Sequence, residues 1–238
     1  MNAMATVQRM TADEYLAGPE HPRRSELIDG ELIVHQPRKA HQVAVMALQY
    51  ALERWIRTAP QRGQLWIPLD VKLDEHNVFA PDLLWYRAGR DDAPGPPYPL
   101  PDIAVEVRSP STWRYDIGAK KAAYERAGLP ELWLVDTAGD VVLVFRRSSP
   151  AAVTFDVALE LAVGDALTSP LLPGSAARCA TCSMPSAMLR HCTLSLTSMG
   201  AGDTAGAARR RGRGVEVVAI DAAAVPCSGF AEGLARLE

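Results

Sequence analysis

The sequence predicts a mixed α/β (α+β) fold, in which a largely hairpin-linked β-sheet is flanked by helices. Apolar residues between positions 41 and 58 recur at helical spacing, with charged residues on the other face. Short apolar runs follow at about 65–73, 78–86 and 102–108, with turn residues between them. Because helical and strand patterns are mixed along the chain, we expect both kinds of element in one sheet-containing domain.

Two signals define the N-terminal elements. Thr11 and Glu14 have the spacing of a capping box, which opens a short helix that ends by Gly18. Asp29-Gly30 then separates two apolar runs within residues 25–34. This dipeptide accepts the positive φ angles of a tight turn, so the pattern predicts a β-hairpin.

The second half of the domain is likewise predicted to contain a helix followed by a β-hairpin. Residues 116–127 are predicted as a helix that is stopped by Gly128 and Pro130. Residues 132–135 and 141–145 are predicted as the two strands of a further hairpin.

Composition divides the chain near residue 173. All 5 tryptophans and all 6 tyrosines lie between Tyr15 and Trp133. Because aromatic side chains supply much of the apolar area of a core, residues 1–173 are expected to be the folded domain. Residues 174–238 are rich in Ala, Ser, Arg and Gly, and we expect a low-complexity, disordered tail.

Overall composition, 48% hydrophobic and 22% charged, is typical of a globular protein. There is neither an apolar run of about 18 residues nor a signal-peptide pattern, so the sequence predicts no membrane segment and a cytoplasmic location. The 4 cysteines all follow residue 178, which argues against a disulfide framework. The formal charge of -3 means that nucleic-acid binding would require a local basic patch.

Two acidic residues stand in otherwise apolar runs. Asp82 follows Pro81 within residues 77–86, and Glu106 lies within residues 101–110. A buried charge is costly unless it is compensated, and Mg²⁺ is commonly held by one or two carboxylates with water and phosphate oxygens. The alternatives are that Asp82 is a turn residue and that Glu106 pairs with a cation such as Arg108.

Lys120 is the third candidate. Asp116, Lys120 and Tyr124 are four residues apart and therefore share one face of the predicted helix. If that face meets the sheet edge that carries Glu106, the ammonium reaches a metal-bound water or a phosphate. An exposed Asp116–Lys120 ion pair is the alternative, and Lys121 is the neighbouring candidate. Asp, Glu and Lys on adjacent elements together predict a metal-dependent phosphodiesterase site.

Several motifs in a fixed order carry a resemblance to a known family. They are Glu26-Leu-Ile-Asp-Gly-Glu31, His41-Gln42, Ala80-Pro-Asp82, Val105-Glu-Val-Arg-Ser-Pro-Ser111, Asp116 with Lys120 and Tyr124, Ala127-Gly-Leu-Pro-Glu-Leu-Trp-Leu-Val-Asp136, and Leu167-Thr-Ser-Pro-Leu-Leu-Pro-Gly174. Over about residues 10–173 the chain resembles the Uma2-type family of restriction-endonuclease-like proteins, within the PD-(D/E)XK nuclease superfamily. The resemblance implies a restriction-endonuclease-like fold and a metal-dependent endonuclease that acts on DNA.

The resemblance also implies residue roles. The catalytic residues would be Asp82, Glu106 and Lys120, and the ligands of Mg²⁺, or of Mn²⁺, would be Asp82, Glu106, Val107 and Glu26. Glu31 is a further candidate acid. The superfamily's lysine usually lies two residues after the second acid, where this chain has Arg108, so Lys120 on the following helix takes its place. A homodimer is implied by resemblance alone, and no organic cofactor is expected.

Four residues are expected to contact nucleic acid: Arg108, Arg114, Lys121 and His41. Trp113 is a further candidate for stacking on a base. An ordinary loop and helix surface is the alternative, and His41 would then be a helix-start residue. A second hypothesis for the whole domain is a catalytically silent nucleic-acid- or protein-binding module on the same fold.

Two hypotheses concern the tail. Cys179, Cys182, His191 and Cys192 offer four zinc ligands, although two adjacent ligands suit a tetrahedral site poorly. The resemblance stops after Gly174, where the composition changes, and a reading-frame shift near residue 175 would explain both observations.

Overall fold

Two β-sheets of four and six strands, a separate two-stranded antiparallel pair formed by the last two strands, and the surrounding helices make up the fold in a computed structural model. It describes residues 9–19, 24–90 and 93–175 and the backbone of 177–178. In chain order the strands are β1 (Ser25–Ile28), β2 (Glu31–Val34), β3 (Gln64–Trp66), β4 (Val71–Asp74), β5 (Asn77–Phe79), β6 (Leu83–Tyr86), β7 (Ile103–Val107), β8 (Glu131–Asp136), β9 (Val141–Arg146), β10 (Val157–Ala162), β11 (Ala166–Leu167) and β12 (Ala177–Arg178). The helices are α1 (Ala12–Ala17), α2 (Lys39–Ile56), α3 (Trp113–Tyr115) and α4 (Lys121–Ala127), and a π-helical turn, Asp116–Lys120, joins the last two. The predicted mixed α+β class is confirmed.

The smaller sheet has the strand order β2-β1-β5-β4, and all of its pairs are antiparallel. The β1–β2 hairpin turns through Asp29 and Gly30, which have φ angles of 48° and 77°. Positive φ at both central positions is the geometry that the Asp-Gly pair predicts. All four residues of β1 are buried, so Glu26 projects into the interior.

The larger sheet has the order β10-β9-β8-β7-β6-β3. Its β7–β8 pair is parallel and its other pairs are antiparallel. Parallel neighbours need a crossover connection, and here it consists of α3, the π-helical turn and α4. The crossover packs Tyr124 and Ala123 in one hydrophobic cluster with Ala104 of β7. Its residues are thereby brought to the sheet face on which Glu106 also lies.

The long helix α2 covers the other face of the larger sheet. Leu48, Leu52 and Trp55 are buried in the same cluster as Val105 and Val107 of β7. This helix confirms the predicted helix over 41–58, with its start two residues earlier. At the N-terminus, α1 begins at the predicted capping box, because Glu14 N donates to Thr11 Oγ1 and Thr11 N donates to Glu14 Oε2.

Two predicted strands are each divided in the structure. The run predicted at 65–73 forms β3 and β4, which belong to different sheets, and Pro68 lies between them and has no N–H for a sheet ladder. The run predicted at 78–86 forms β5 in the smaller sheet and β6 in the larger one. The chain passes from one sheet to the other at Ala80-Pro81-Asp82, so Asp82 lies where the two sheets adjoin.

Residues 179–238 lie outside the described residues, and with them the candidate zinc ligands Cys179, Cys182, His191 and Cys192 and most of the predicted tail. The domain boundary near residue 173 stays a prediction. Within residues 9–19, 24–90 and 93–175, no helix has both the length and the apolar composition that a membrane crossing requires.

Candidate active site

Three buried carboxylates surround one buried lysine, and a fourth buried carboxylate lies near them. The carboxylates belong to Glu26 on β1, Asp82 at the passage between the sheets, Glu106 on β7 and Asp116 on the π-helical turn, and the lysine is Lys120. We call these five residues the acidic cluster. Each has at most 3% of its surface exposed. Buried ionised groups of this number require mutual compensation, so the contacts among them determine what the cluster can do.

Lys120 is the centre of the acidic cluster. Its Nζ lies 2.9 Å from both carboxylate oxygens of Glu26, 2.7 Å from Glu106 Oε1 and 3.4 Å from Asp116 Oδ1. It also lies 5.3 Å from the centre of the Phe79 ring. Burial lowers the pKa of this ammonium, but the three carboxylates outweigh burial and raise the pKa above its ordinary value. Lys120 is therefore a protonated donor in this arrangement.

The π-helical turn sets the direction of Lys120. Such turns are rare in helices and occur frequently at functional sites. Here Asp116 and Lys120, at its two ends, are buried, and Tyr124 one turn later is buried as well. The Tyr124 hydroxyl donates a 2.7 Å hydrogen bond to Glu106 Oε1. The inward face expected for Asp116, Lys120 and Tyr124 is thus present. The Asp116–Lys120 ion pair of the alternative reading also forms, but it is buried and not exposed.

Asp82 is held from three directions. Val107 N donates to Asp82 Oδ2 at 2.7 Å, whereas Arg24 Nη1 and His41 Nε2 lie 2.5 and 3.3 Å from Asp82 Oδ1. Burial raises the pKa of this carboxyl, and the contacts with His41 and Arg24 outweigh burial, so its pKa is about 2. Asp82 is therefore an ionised carboxylate at neutral pH.

His41 contacts both Asp82 and the backbone carbonyl of Val107. Its Nδ1 lies 3.0 Å from the Val107 carbonyl oxygen, and its Nε2 approaches Asp82. Burial lowers the pKa of the imidazole, whereas Asp82 and the Val107 carbonyl raise it, and the net shift is upward. His41 is 4% exposed and lies within the site, so this conformation favours a role in positioning Asp82 and Val107 over contact with nucleic acid.

Glu26 is the second ionised carboxylate. His35 Nε2 lies 2.6 Å from Glu26 Oε2, and Ala80 N donates to Glu26 Oε1 at 2.6 Å. Burial raises the pKa of this carboxyl, but Lys120, His35 and Arg24 outweigh burial and lower it. Glu31, the other candidate acid, is exposed on β2 and takes no part in the cluster.

The pKa values of Glu106 and Asp116 are shifted upward, in contrast to those of Asp82 and Glu26. Burial and the nearby Glu26 and Asp82 charges raise the pKa of Glu106, although Lys120 opposes them. Burial, with the other carboxylates, raises the pKa of Asp116 well above its usual range. Asp116 Oδ1 is buried and accepts no hydrogen bond among the described residues. Lys120 is the cation that these two carboxyls contact, whereas Arg24 contacts Asp82 and His35 lies beside Glu26 in addition to Lys120.

The charge count of the site suits a divalent cation. When all four carboxyls are ionised and the histidines are neutral, the carboxylates exceed the two permanent cations, Arg24 and Lys120, by two charges. Protonation of Asp116, whose pKa is raised well above its usual range, would reduce this excess to one. Carboxylate and carbonyl oxygens are the hard donors that Mg²⁺ prefers. No group of three or more His, Cys, Asp or Glu side chains in the described ranges has a metal-binding arrangement, so the fit rests on Asp82, Glu106 and the Val107 carbonyl. A site of one or two carboxylates is the usual one for Mg²⁺.

The other residues expected to contact nucleic acid, Arg108, Arg114 and Lys121, lie outside the acidic cluster. Arg108 Nη1 lies 2.9 Å from both oxygens of Asp136, and its guanidinium lies 5.4 Å from the centre of the Trp113 ring. Arg114 donates to the Tyr115 hydroxyl at the surface. Lys121 Nζ lies 4.6 Å from the Phe145 ring centre, so Lys120 rather than Lys121 belongs to the acidic cluster.

Arg24 and His35 are site residues that the sequence reasoning missed. His35 N donates to Arg24 O at 3.0 Å, which continues the β1–β2 register one pair beyond Ser25 and Val34. Arg24 and Glu26 are two apart, and side chains at that spacing point to one face of an extended chain. Extending the predicted hairpin by one pair would therefore have placed Arg24 and His35 beside Glu26.

Comparison with known proteins agrees with this fold. The model of the Uma2 family, described as "Putative restriction endonuclease", matches residues 12–180. A crystal structure of a "putative nuclease belonging to DUF820" from Anabaena variabilis is similar, with a TM-score of 0.57 and 19% identity over 68% of this chain and 91% of that chain. At that identity the likeness shows the fold alone. No curated protein matches the chain.

Proposed function

Because this chain belongs to the Uma2 family, we propose that it is a metal-dependent endonuclease that hydrolyses phosphodiester bonds of DNA. The observation that carries the proposal is that Lys120 contacts Glu106, while Asp82, buried nearby, accepts a hydrogen bond from the backbone N–H of the next residue, Val107. These residues come from separate parts of the chain, and burying them together without a function would cost stability. The proposal extends the family's description to a substrate, a cofactor and a set of residues.

Mg²⁺, or Mn²⁺, would be held by Asp82, Glu106 and the Val107 carbonyl, with Glu26 as a further acid behind them. A bound ion lowers the pKa of a water ligand and neutralises charge on the reacting phosphate. The excess of carboxylates over the cations Arg24 and Lys120 supports this assignment.

Lys120 acts as a donor. Its protonated Nζ is held by Glu26 and Glu106, so it can orient a water or stabilise a phosphate oxygen and cannot readily take a proton. Arg24 and His41 hold Asp82 in place, and Tyr124 holds Glu106. The preorganised donors and acceptors thereby avoid reorganisation during the reaction.

A cleavage assay tests the proposal. Supercoiled plasmid is incubated with the full-length protein and Mg²⁺, Mn²⁺ or EDTA, and nicked and linear products are measured. We expect cleavage with either ion, none with EDTA, and a loss of at least about 100-fold in Asp82→Asn. Equal cleavage by Asp82→Asn, or cleavage in EDTA, would contradict the proposal.

A second candidate function is a catalytically silent nucleic-acid-binding module. It is favoured by contacts that already engage the candidate metal ligands: Arg24 and His41 contact Asp82, and His41 also contacts the Val107 carbonyl. Under this candidate the protein binds DNA without cutting it in the presence of any metal ion. The same plasmid assay, with a binding measurement alongside, separates the two functions.

The remaining assignments rest on the sequence. The cytoplasm is proposed because the cysteines are absent from the first 178 residues. A homodimer is proposed on family resemblance, and no organic cofactor is required by hydrolysis of a phosphodiester at a metal-activated water.

A further inference from the structure

A cavity of about 470 Å³ adjoins the acidic cluster. Arg24, Ser25 and Ala80 line it, and each is tied to the cluster. Arg24 pairs with Asp82 and with the Ala80 carbonyl, Ser25 precedes Glu26, and Ala80 N donates to Glu26. A group in this cavity would therefore lie next to the proposed reaction centre.

The walls of the cavity suit a flat ring. Tyr15 and Tyr98 line it together with Pro19, Pro68 and Pro96. Aromatic rings offer stacking faces to every nucleobase, which makes such contacts tolerant of sequence. The volume lies in the range of about 300–1,000 Å³ that is typical of small-molecule sites, so one nucleotide can enter.

Polar groups accompany these walls. Arg24 Nε is buried and has no hydrogen-bond partner among the described residues. Asp70 also lines the cavity, and its backbone carbonyl accepts from Tyr98 N at 2.8 Å, which joins the backbone of these two cavity residues. The Arg24 side chain is 25% exposed, and its guanidinium and the Asp70 carboxyl can meet the edge of a base, because that edge carries both donors and acceptors.

We propose that this cavity receives one unpaired nucleobase of the substrate, next to the phosphate that is cut. The inference rests on the proposed function and narrows it, because it names an extrahelical or single-stranded nucleotide as the preferred substrate feature. A base inside a duplex must be unstacked and unpaired to enter such a cavity. A nucleotide that is already unpaired avoids that cost, so the protein should bind it more tightly.

Binding of two matched DNA duplexes tests the inference. One is fully paired and the other has a single-nucleotide bulge in the same sequence, and Ca²⁺ replaces Mg²⁺ during the measurement by fluorescence anisotropy. We expect the bulged duplex to bind about tenfold more tightly to the full-length protein. Plasmid cleavage with Mg²⁺ is measured on the same preparations.

Two variants alter the cavity in different ways. Tyr98→Ala removes a stacking face, and Leu69→Trp fills space, since Leu69 also lines the cavity. Both are expected to abolish the preference for the bulge and to leave the affinity for the paired duplex unchanged. Tyr50→Ala is the matched control, because Tyr50 is exposed on α2 and does not line the cavity.

The outcomes distinguish this inference from the proposed function. Equal affinity of the wild type for both duplexes, or a preference that persists in both cavity variants, overturns the inference, and plasmid cleavage would then still support the nuclease. A protein that binds neither duplex and cuts no plasmid overturns both. Loss of the preference in either cavity variant that stays folded, with the control unaffected, supports the inference.

Discussion

Lys120 Nζ lies 2.9 Å from both carboxylate oxygens of Glu26, although the two residues are 94 positions apart in the chain. The contact joins the smaller sheet to the crossover of the larger sheet. It also places the ammonium between Glu26 and Glu106. Without it, Glu106 would contact no cation among the described residues, and Glu26 would keep His35 beside it. The pair therefore connects the stability of the fold with the chemistry of the site.

The first prediction concerns this connection. Lys120→Met should lower the free energy of unfolding by about 3–5 kcal/mol, because it removes one partner of a buried ion cluster and leaves carboxylates unpaired. Urea unfolding followed by tryptophan fluorescence measures the change. Adding Glu26→Gln to this variant should restore part of the loss, since one unpaired charge is then removed. A loss below about 1 kcal/mol in Lys120→Met would show that the cluster is not held by the ammonium.

The second prediction concerns Tyr124. Tyr124→Phe removes a hydrogen bond to the ionised form of Glu106, so the pKa of Glu106 should rise further. If ionised Glu106 is required, the acidic limb of the pH profile of kcat/KM moves to higher pH. Tyr86→Phe is the matched control, because the buried Tyr86 hydroxyl donates to the Pro99 carbonyl, outside the cluster. An acidic limb that moves equally in the two variants would refute the role of Tyr124.

The third prediction uses a buried glutamate elsewhere in the domain. Burial raises the pKa of Glu131, although Arg146, Trp133 and Ser169 oppose it. The folded state therefore binds this proton more tightly than the unfolded state, whose glutamate pKa is near 4.5. This contribution to stability is present below the unfolded pKa and is lost as pH rises through the folded pKa.

Glu131→Gln removes that titration. Relative to the variant, the wild type should lose unfolding free energy as pH rises from about 4.5 upward. Urea unfolding of both proteins at a series of pH values gives the difference. A wild type that gains stability over the variant in this range would contradict the prediction.

The fourth prediction concerns DNA contact by Arg114. Its guanidinium lies at the surface, whereas that of Arg108 is held by Asp136. Arg114→Gln should therefore weaken DNA binding and reduce the slope of log affinity against log salt by about 1. Its unfolding free energy should remain within about 0.5 kcal/mol of the wild type. Arg57→Gln, at an exposed position at the end of α2, is the control, and an equal change of slope there would refute a specific contact.

The sequence predicted the acids and the lysine because each stands in a recognisable local pattern. Asp82 and Glu106 interrupt apolar runs, and Lys120 lies four residues from Asp116 and Tyr124. The turn at Asp29-Gly30 was predictable for a local reason too, since positive φ angles select these residues. Such signals need only a few neighbouring residues.

Long-range features could not be predicted in this way. The passage from β5 to β6 at Pro81-Asp82 depends on which sheet each strand joins, and a continuous apolar run does not reveal that choice. The π-helical turn is equally hidden, because its hydrogen bonds are shifted by one residue without a distinctive composition. The Arg24–Asp82 pair depends on both sheets being in place.

The comparison of Glu106→Gln with Glu131→Gln tests the central claim most directly. Both residues are almost fully buried glutamates in neighbouring strands, but only Glu106 contacts Lys120. The rate of plasmid cleavage is measured for both variants over a series of Mg²⁺ concentrations. We predict a loss of at least about 100-fold in Glu106→Gln and near wild-type rates in folded Glu131→Gln. Similar rates in the two variants would contradict a nuclease site at the acidic cluster.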